Sequence, residues 1–119
     1  RRTLLVVDDE AEVREMLAHH FSLRQYRVLT APDGAEALRL ALAEKPGVIV
    51  LDVKMRGMDG DVLLERLRSL LPQARLIVVT AYQDARVRER LAQIGFDAYF
   101  EKPVPILELQ RKVESFFNT

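Results

Sequence analysis

The sequence predicts an α/β domain, a parallel β-sheet with helices on both faces. Three observations carry this expectation. Short apolar runs rich in β-branched residues alternate along the chain with segments of helical periodicity. Such alternation builds βαβ units, whose crossovers are right-handed. The chain has 119 residues, 49% of them apolar and 30% charged, which suffices for one domain around one core.

Taken in order, Thr3 to Val7 is an apolar strand that ends abruptly in Asp8-Asp9-Glu10. Val13, Met16, Leu17, His20 and Phe21 then recur at helical spacing, giving a helix from about Ala11 to Arg24. Tyr26 to Thr30 alternates enough for a second strand, more exposed than the first and expected at an edge. Asp33-Gly34 starts the second helix, and Glu36, three residues after Asp33, suggests a capping box. Ala37, Leu38, Ala41 and Leu42 form its expected buried stripe.

Val48-Ile49-Val50-Leu51 is a continuous apolar run, the mark of a strand buried on both faces, and it runs straight into Asp52. Gly57 and Gly60 punctuate the loop beyond it. Leu63, Leu64, Leu67, Leu70 and Leu71 then define a third helix that Pro72 stops. Ala74 to Thr80 is a fourth strand closed by a hydroxyl. Val87, Leu91 and Ile94 stripe a fourth helix with Arg86, Arg88, Glu89 and Arg90 on its outer face, and Gly95 suits its C-terminal cap. Asp97 to Glu101 is the fifth strand, followed by Lys102-Pro103. Pro105 suits the first turn of a last helix whose Ile106, Leu109, Val113 and Phe116 face inward. Periodicity does not reveal which strand lies beside which.

Composition narrows the function classes. Eighteen basic residues balance eighteen acidic ones, so nothing points to a nucleic-acid groove or an anionic lipid surface. Apolar runs are too short to span a bilayer, and no signal-peptide pattern opens the chain. The absence of cysteine rules out disulfides and thiolate metal sites and fits a cytoplasmic protein. The chain starts at Arg1, almost on its first strand, as expected of a domain (residues 1–119) belonging to a longer protein.

In a parallel sheet all strand C-termini share one edge, which is where ligands bind in open α/β folds. The first strand brings Asp8 and Asp9 there, the third Asp52, the fourth Thr80 and the fifth Lys102. Each alone has an ordinary explanation: turn, helix cap or solvated charge. Their convergence does not. Crowded carboxylates repel unless a cation is present. Oxygen ligands without cysteine or a histidine cluster suit a hard ion such as Mg²⁺. With the metal in place, and with Lys102 and Thr80 opposite, the pocket can accept a phosphoryl group. Transfer then needs mainly positioning and charge neutralisation, and a carboxylate can itself be the nucleophile.

Val7-Asp8-Asp9-Glu10, Asp33-Gly34-Ala35-Glu36-Ala37-Leu38, Leu51-Asp52, Met55 with Met58-Asp59-Gly60, Thr80-Ala81, Gly95, and Tyr99 ahead of Lys102-Pro103 are together highly specific. On these motifs the chain resembles, over almost its whole length, the receiver domain of two-component response regulators. The resemblance implies a flavodoxin-like doubly wound five-stranded parallel sheet of order 2-1-3-4-5 with five helices. It implies that Asp52 takes a phosphoryl group from a phosphohistidine on a sensor histidine kinase or phosphotransfer protein. By the family pattern Asp9 and Asp52 contact Mg²⁺ directly, Asp8 acts largely through water, and the backbone carbonyl of Lys54 completes the protein ligands. Lys102 would hold one phosphoryl oxygen, Thr80 would donate its hydroxyl to another, and the Lys102-Pro103 peptide would be cis. Tyr99 would turn inward behind Thr80. The surface of the fourth helix, fifth strand and fifth helix would then change its partners, such as an output domain or a second receiver. Such a domain catalyses only its own phosphoryl transfer and autodephosphorylation, and touches neither nucleic acid nor membrane itself.

The chain departs from the family pattern at Arg56, where proline is usual, and at Phe96, where a small residue is commoner. Lys54 and bulky Tyr82 occupy positions that flank the phosphoryl group and are expected to restrict attacking water. His19 and His20 read as helix-surface residues. Haloacid-dehalogenase-like phosphatases use related chemistry but place their nucleophile after the first strand in an Asp-x-Asp pattern, where this chain has Asp8-Asp9-Glu10-Ala11. An FMN carrier would need a Ser/Thr/Gly-rich phosphate loop there. The remaining alternative is a receiver-like interaction module that does not use phosphorylation.

Overall fold

The computed structural model describes residues 2–54, 59–81 and 84–118. Ten elements alternate: β1 (Thr3–Val7), α1 (Ala11–Ser22), β2 (Arg27–Ala31), α2 (Gly34–Glu44), β3 (Val48–Leu51), α3 (Gly60–Leu70), β4 (Arg75–Thr80), α4 (Ala85–Ile94), β5 (Ala98–Glu101) and α5 (Ile106–Phe117). The sheet runs β2-β1-β3-β4-β5 with every pair parallel. The expected order is therefore present, with β2 and β5 at the edges. No helix among the described residues is long and apolar enough to cross a membrane.

Side chains alternate across a strand, so each strand feeds two cores. Leu5, Val7, Ile49, Leu51, Leu76 and Val78 meet α2, α3 and α4 through Ala37, Ala41, Leu63, Leu64, Leu67 and Leu91. Leu4, Val6, Val48, Val50, Ile77 and Val79 meet α1 and α5 through Leu17, Phe21, Leu109 and Val113. All four residues of β3 are buried because β1 and β4 flank it and helices cover both faces.

Some expected core positions lie outside. Met16, Leu42 and Leu70 are exposed, and Leu38 and Leu71 are only partly buried. Met16 and Leu42 sit roughly 100° round the helix from the centres of their buried stripes. In α2 that stripe is Gly34, Ala37 and Ala41, small residues on which the helix packs while larger neighbours stay at the flank. The α1 helix ends at Ser22, two residues before the expected end. Asp33 caps α2 by accepting the Glu36 N–H at 2.9 Å, but the Glu36 carboxylate pairs with Arg39 instead of closing a capping box. Pro105 is the N-cap of α5 and not in its first turn. Gly95 caps α4 at φ 111°, and Lys102-Pro103 is cis.

Single ladder bonds beyond the strand ends bring the polar residues into line. Asp8 N–H donates to Ala31 O at 3.1 Å, Asp52 N–H to Val7 O at 2.9 Å and Lys102 N–H to Thr80 O at 3.0 Å. Each is a continuation of sheet pairing by one residue. The sheet thus sets Asp8, Asp52, Thr80 and Lys102 side by side at one edge.

Candidate functional site

The buried ends of β1 and β3 carry charge. Asp8 and Asp52 are only 3% and 4% exposed, and Thr80 is fully buried. A buried carboxylate needs a partner, and one ammonium serves both. Lys102 Nζ donates to Asp8 Oδ2 at 2.8 Å, Asp52 Oδ2 at 2.9 Å and Glu10 Oε1 at 2.9 Å. The second oxygens are held by backbone. Asp8 Oδ1 accepts the Glu10 N–H at 2.9 Å, and Asp52 Oδ1 accepts the Lys54 N–H at 2.8 Å. Arg14, one turn into α1, reaches back to the Asp8 carbonyl at 2.6 Å and fixes the β1–α1 junction.

The electrostatics are asymmetric. Burial raises the Asp8 carboxyl above its ordinary range, outweighing the hydrogen bonds from Lys102 and the Glu10 amide, and the nearby Asp52 charge adds to the rise. Burial alone would lower the Lys102 pKa, but hydrogen bonds to Asp8, Glu10 and Asp52 outweigh it and hold the ammonium charged well above the ordinary lysine range. One cation is shared among several anions, so the site favours the charge on Lys102 and disfavours that on Asp8.

Asp9 is exposed, but its carboxylate belongs to the same cluster. Asp8, Asp9, Glu10 and Asp52 each offer an oxygen, all within 4.8 Å of one another. An all-oxygen set of excess negative charge, open to solvent through Asp9 and Glu10, fits a hard divalent cation. Thr80 is the ladder neighbour of Lys102 across β4 and β5.

Tyr99, opposite Val78 on β5, is half-buried against the core beneath α3 and α4. Its ring lies 5.5 Å from that of Phe96 at a 42° tilt, and the Arg88 guanidinium sits 4.5 Å from its centre. Phe96, the departure noted in the sequence, therefore packs on Tyr99. The Lys54 side chain is exposed. Tyr82 lies outside the described residues, as do Met55, Arg56, Gly57 and Met58. His20 Nε2 meets Gln110 Oε1 at 2.7 Å between α1 and α5, and its ring is edge-on to Phe21, as expected of a helix-surface residue. Glu10 and Arg14 are the site residues that sequence reasoning missed. Glu10 had a signal, its place directly after Asp8-Asp9. Nothing in the sequence showed Arg14 bending back to a strand end.

A doubly wound sheet of order 2-1-3-4-5, with carboxylates from β1 and β3 and a lysine beyond β5 joined at one edge, defines a receiver-type signalling domain. The chain belongs to the response regulator receiver domain family, whose pattern it matches over residues 4–114. It is 31% identical over 113 residues to sporulation initiation phosphotransferase F of Bacillus subtilis, covering 95% of this chain and 91% of that protein. It is 38% identical to the probable transcriptional regulator ycf27 of Cyanophora paradoxa and 37% identical to response regulator MprA of Mycolicibacterium vanbaalenii, covering 99% and 97% of this chain. It spans about half the length of those two, 49% and 50%. Among solved structures it resembles the response regulator TrrA of Thermotoga maritima in complex with Mg²⁺-BeF, with a TM-score of 0.86, 31% identity and coverage of 98% and 99% of the two chains. Chemotaxis protein CheY4 of Vibrio cholerae gives a TM-score of 0.87 at 27% identity, covering 96% and 97%.

Proposed function

We propose that the chain is a phosphorylation-controlled switch in which Asp52 accepts a phosphoryl group from a phosphohistidine of a sensor kinase or phosphotransfer protein. The observation that carries this reading is the joint hold of Lys102 Nζ on Asp8 and Asp52, two buried carboxylates from separate strands. An Asp52 oxygen attacks phosphorus as the P–N bond breaks. The imidazole nitrogen keeps the electron pair and takes a proton from solvent. Bound Mg²⁺ would neutralise the phosphoryl oxygens during transfer, held by Asp9, Asp52 and the Lys54 carbonyl, with Asp8 acting through water. Lys102 binds one phosphoryl oxygen and the Thr80 hydroxyl donates to another.

Thr80 and Tyr99 then link the event to the surface of α4, β5 and α5, where an output domain or second receiver docks. Physically this is a two-state element biased by a local charge. Lys54 and Tyr82 restrict attacking water and lengthen the phosphorylated lifetime. The chain acts on no separate substrate. It works in the cytoplasm, where phosphohistidine donors meet it.

The test is incubation with Mg²⁺ and a small phosphodonor such as acetyl phosphate, followed by intact mass. Wild type gains one phosphoryl group and Asp52→Ala gains none. No adduct on wild type, or an equal adduct on Asp52→Ala, overturns the assignment and favours an interaction module independent of phosphorylation.

A further inference from the structure

Lys102 Nζ has three N–H donors, and all three go to carboxylates. Two of the acceptors, Asp8 and Asp52, have side chains only 4% exposed, whereas that of Glu10 is 61% exposed at the rim of the pocket. The function proposed above leaves Glu10 without a role. Its backbone is nonetheless well fixed. Glu10 is the N-cap of α1, its N–H bonds to Asp8 Oδ1, and its carbonyl accepts the Arg14 N–H at 3.2 Å. Its side chain takes no part in capping the helix. That leaves the carboxylate directed to Lys102.

The proposed chemistry makes conflicting demands on this ammonium. The Asp8 and Asp52 oxygens that serve Lys102 belong to the carboxylates that a dication needs, and conversion of Asp52 to an acyl phosphate moves its negative charge onto the phosphoryl oxygens. Lys102 therefore competes with the dication for both carboxylates, yet has to stay within reach of the phosphoryl group. We propose that Glu10 is a positioning residue that holds Lys102 Nζ at the pocket rim when Asp8 and Asp52 release it. The proposal rests on the reading of Asp52 as a phosphoacceptor beside a divalent cation. In the resting pocket Glu10 is one of three partners for the ammonium. In the loaded pocket it is the one of those three that the proposed ligand set, Asp9, Asp52 and the Lys54 carbonyl with Asp8 through water, does not use. The pair therefore contributes more to the loaded state than to the resting one, and by linkage it favours loading.

The experiment measures Mg²⁺ affinity by calorimetry for wild type, Glu10→Gln, Glu10→Asp, Lys102→Met and Glu10→Gln/Lys102→Met, with phosphoryl uptake from acetyl phosphate followed by intact mass. Glu10→Gln weakens Mg²⁺ binding by about 3- to 10-fold and slows uptake in the wild-type background, as contacting residues in one network couple. In the Lys102→Met background the same change alters Mg²⁺ binding by less than about twofold, because the group it acts through is gone. Glu10→Asp keeps the charge but draws the carboxylate back by one methylene, and it behaves like Glu10→Gln. Equal weakening in both backgrounds, or wild-type affinity in Glu10→Asp, overturns the proposal by showing that Glu10 acts on the cation through charge alone. Unchanged affinity in Glu10→Gln also overturns it. A wild-type chain that takes the adduct while Glu10→Gln takes it equally fast removes only the role of Glu10. A wild-type chain that neither binds Mg²⁺ nor takes the adduct removes the phosphoacceptor reading as well.

Discussion

Two aspartates at opposite edges of one sheet shift in opposite directions. At the strand C-termini, Asp8 shares a single ammonium with Glu10 and Asp52, and burial raises its carboxyl. At the strand N-termini, Asp97 precedes β5 and is served by several donors. Its Oδ2 accepts the Leu76 N–H at 2.8 Å and Arg68 Nη2 at 2.9 Å, and Arg75 approaches Oδ1 at 3.5 Å. Burial works against its charge too, but the Leu76 amide, Arg68 and Arg75 together outweigh it and hold the carboxyl below its ordinary range. Arg68 also donates to the carbonyls of Ala74 at 3.1 Å and Gly95 at 3.2 Å, joining α3 to the start of β4 and the end of α4. One edge is closed by matched charge and the other is left short of cations. The shortage leaves excess negative charge at the strand C-termini, a set that fits a dication, while the matched ion pairs lie at the strand N-termini.

Glycines sharpen the contrast most. At the strand C-termini, a Cβ on Gly60 would fall on the backbone carbonyl and Cα of Val53, the residue after Asp52. At the other edge, a Cβ on Gly47 would meet Phe117 Cε1 at 2.7 Å, the edge of a partly buried ring and not backbone. Gly60→Ala should therefore cost about 3 kcal/mol and Gly47→Ala less than about 1 kcal/mol, measured by urea denaturation. Equal losses would mean that the backbone beyond β3 yields as easily as a ring.

Asp97→Ala comes next. It leaves the Leu76 N–H and Arg68 without their carboxylate partner at a largely buried site, a loss of about 2–3 kcal/mol. The depressed pKa sets the pH dependence. The stabilisation is fully present above the unfolded value near 3.8 and is lost as pH falls through the lower folded value. The variant should lose that part of the acid-denaturation limb, while Asp52 still takes a phosphoryl group from a small donor. Loss of phosphorylation in the folded variant would show that the two edges are not independent.

The edge at the strand C-termini was legible because strands in a doubly wound sheet end in register. An apolar run that stops at Asp8, Asp52 or Thr80 states both its burial and its exit point. The opposite edge was not. Arg68 and Asp97 lie 29 residues apart with no shared period, and a helix-surface arginine reads as solvated until its partner is seen. Leu42 and Met16 misled because hydrophobicity was counted without the angle round the helix. Glu36 misled for a different reason: the capping pattern was right for its amide, but the Arg39 guanidinium one turn on captured its carboxylate.

The smallest expected effect tests the electrostatic claim most directly. A carboxyl raised in the folded state binds its proton more tightly there, so its favourable contribution is present below about pH 3.8 and is lost as pH rises through the folded value. At neutral pH without a divalent cation, the Asp8 charge therefore opposes folding. Asp8→Asn should stabilise the chain by about 1 kcal/mol at pH 7 in chelator, since Lys102 keeps Glu10 and Asp52 as partners. The gain should shrink as pH falls and Asp8 protonates in wild type. Mg²⁺ should narrow it as well, because a ligand that binds only the folded state stabilises the chain that binds it better. If Asp8→Asn is instead less stable at pH 7 in chelator, the bond to Lys102 outweighs burial at Asp8. The two edges would then differ in how many partners each carboxylate has, and not in the sign of its contribution.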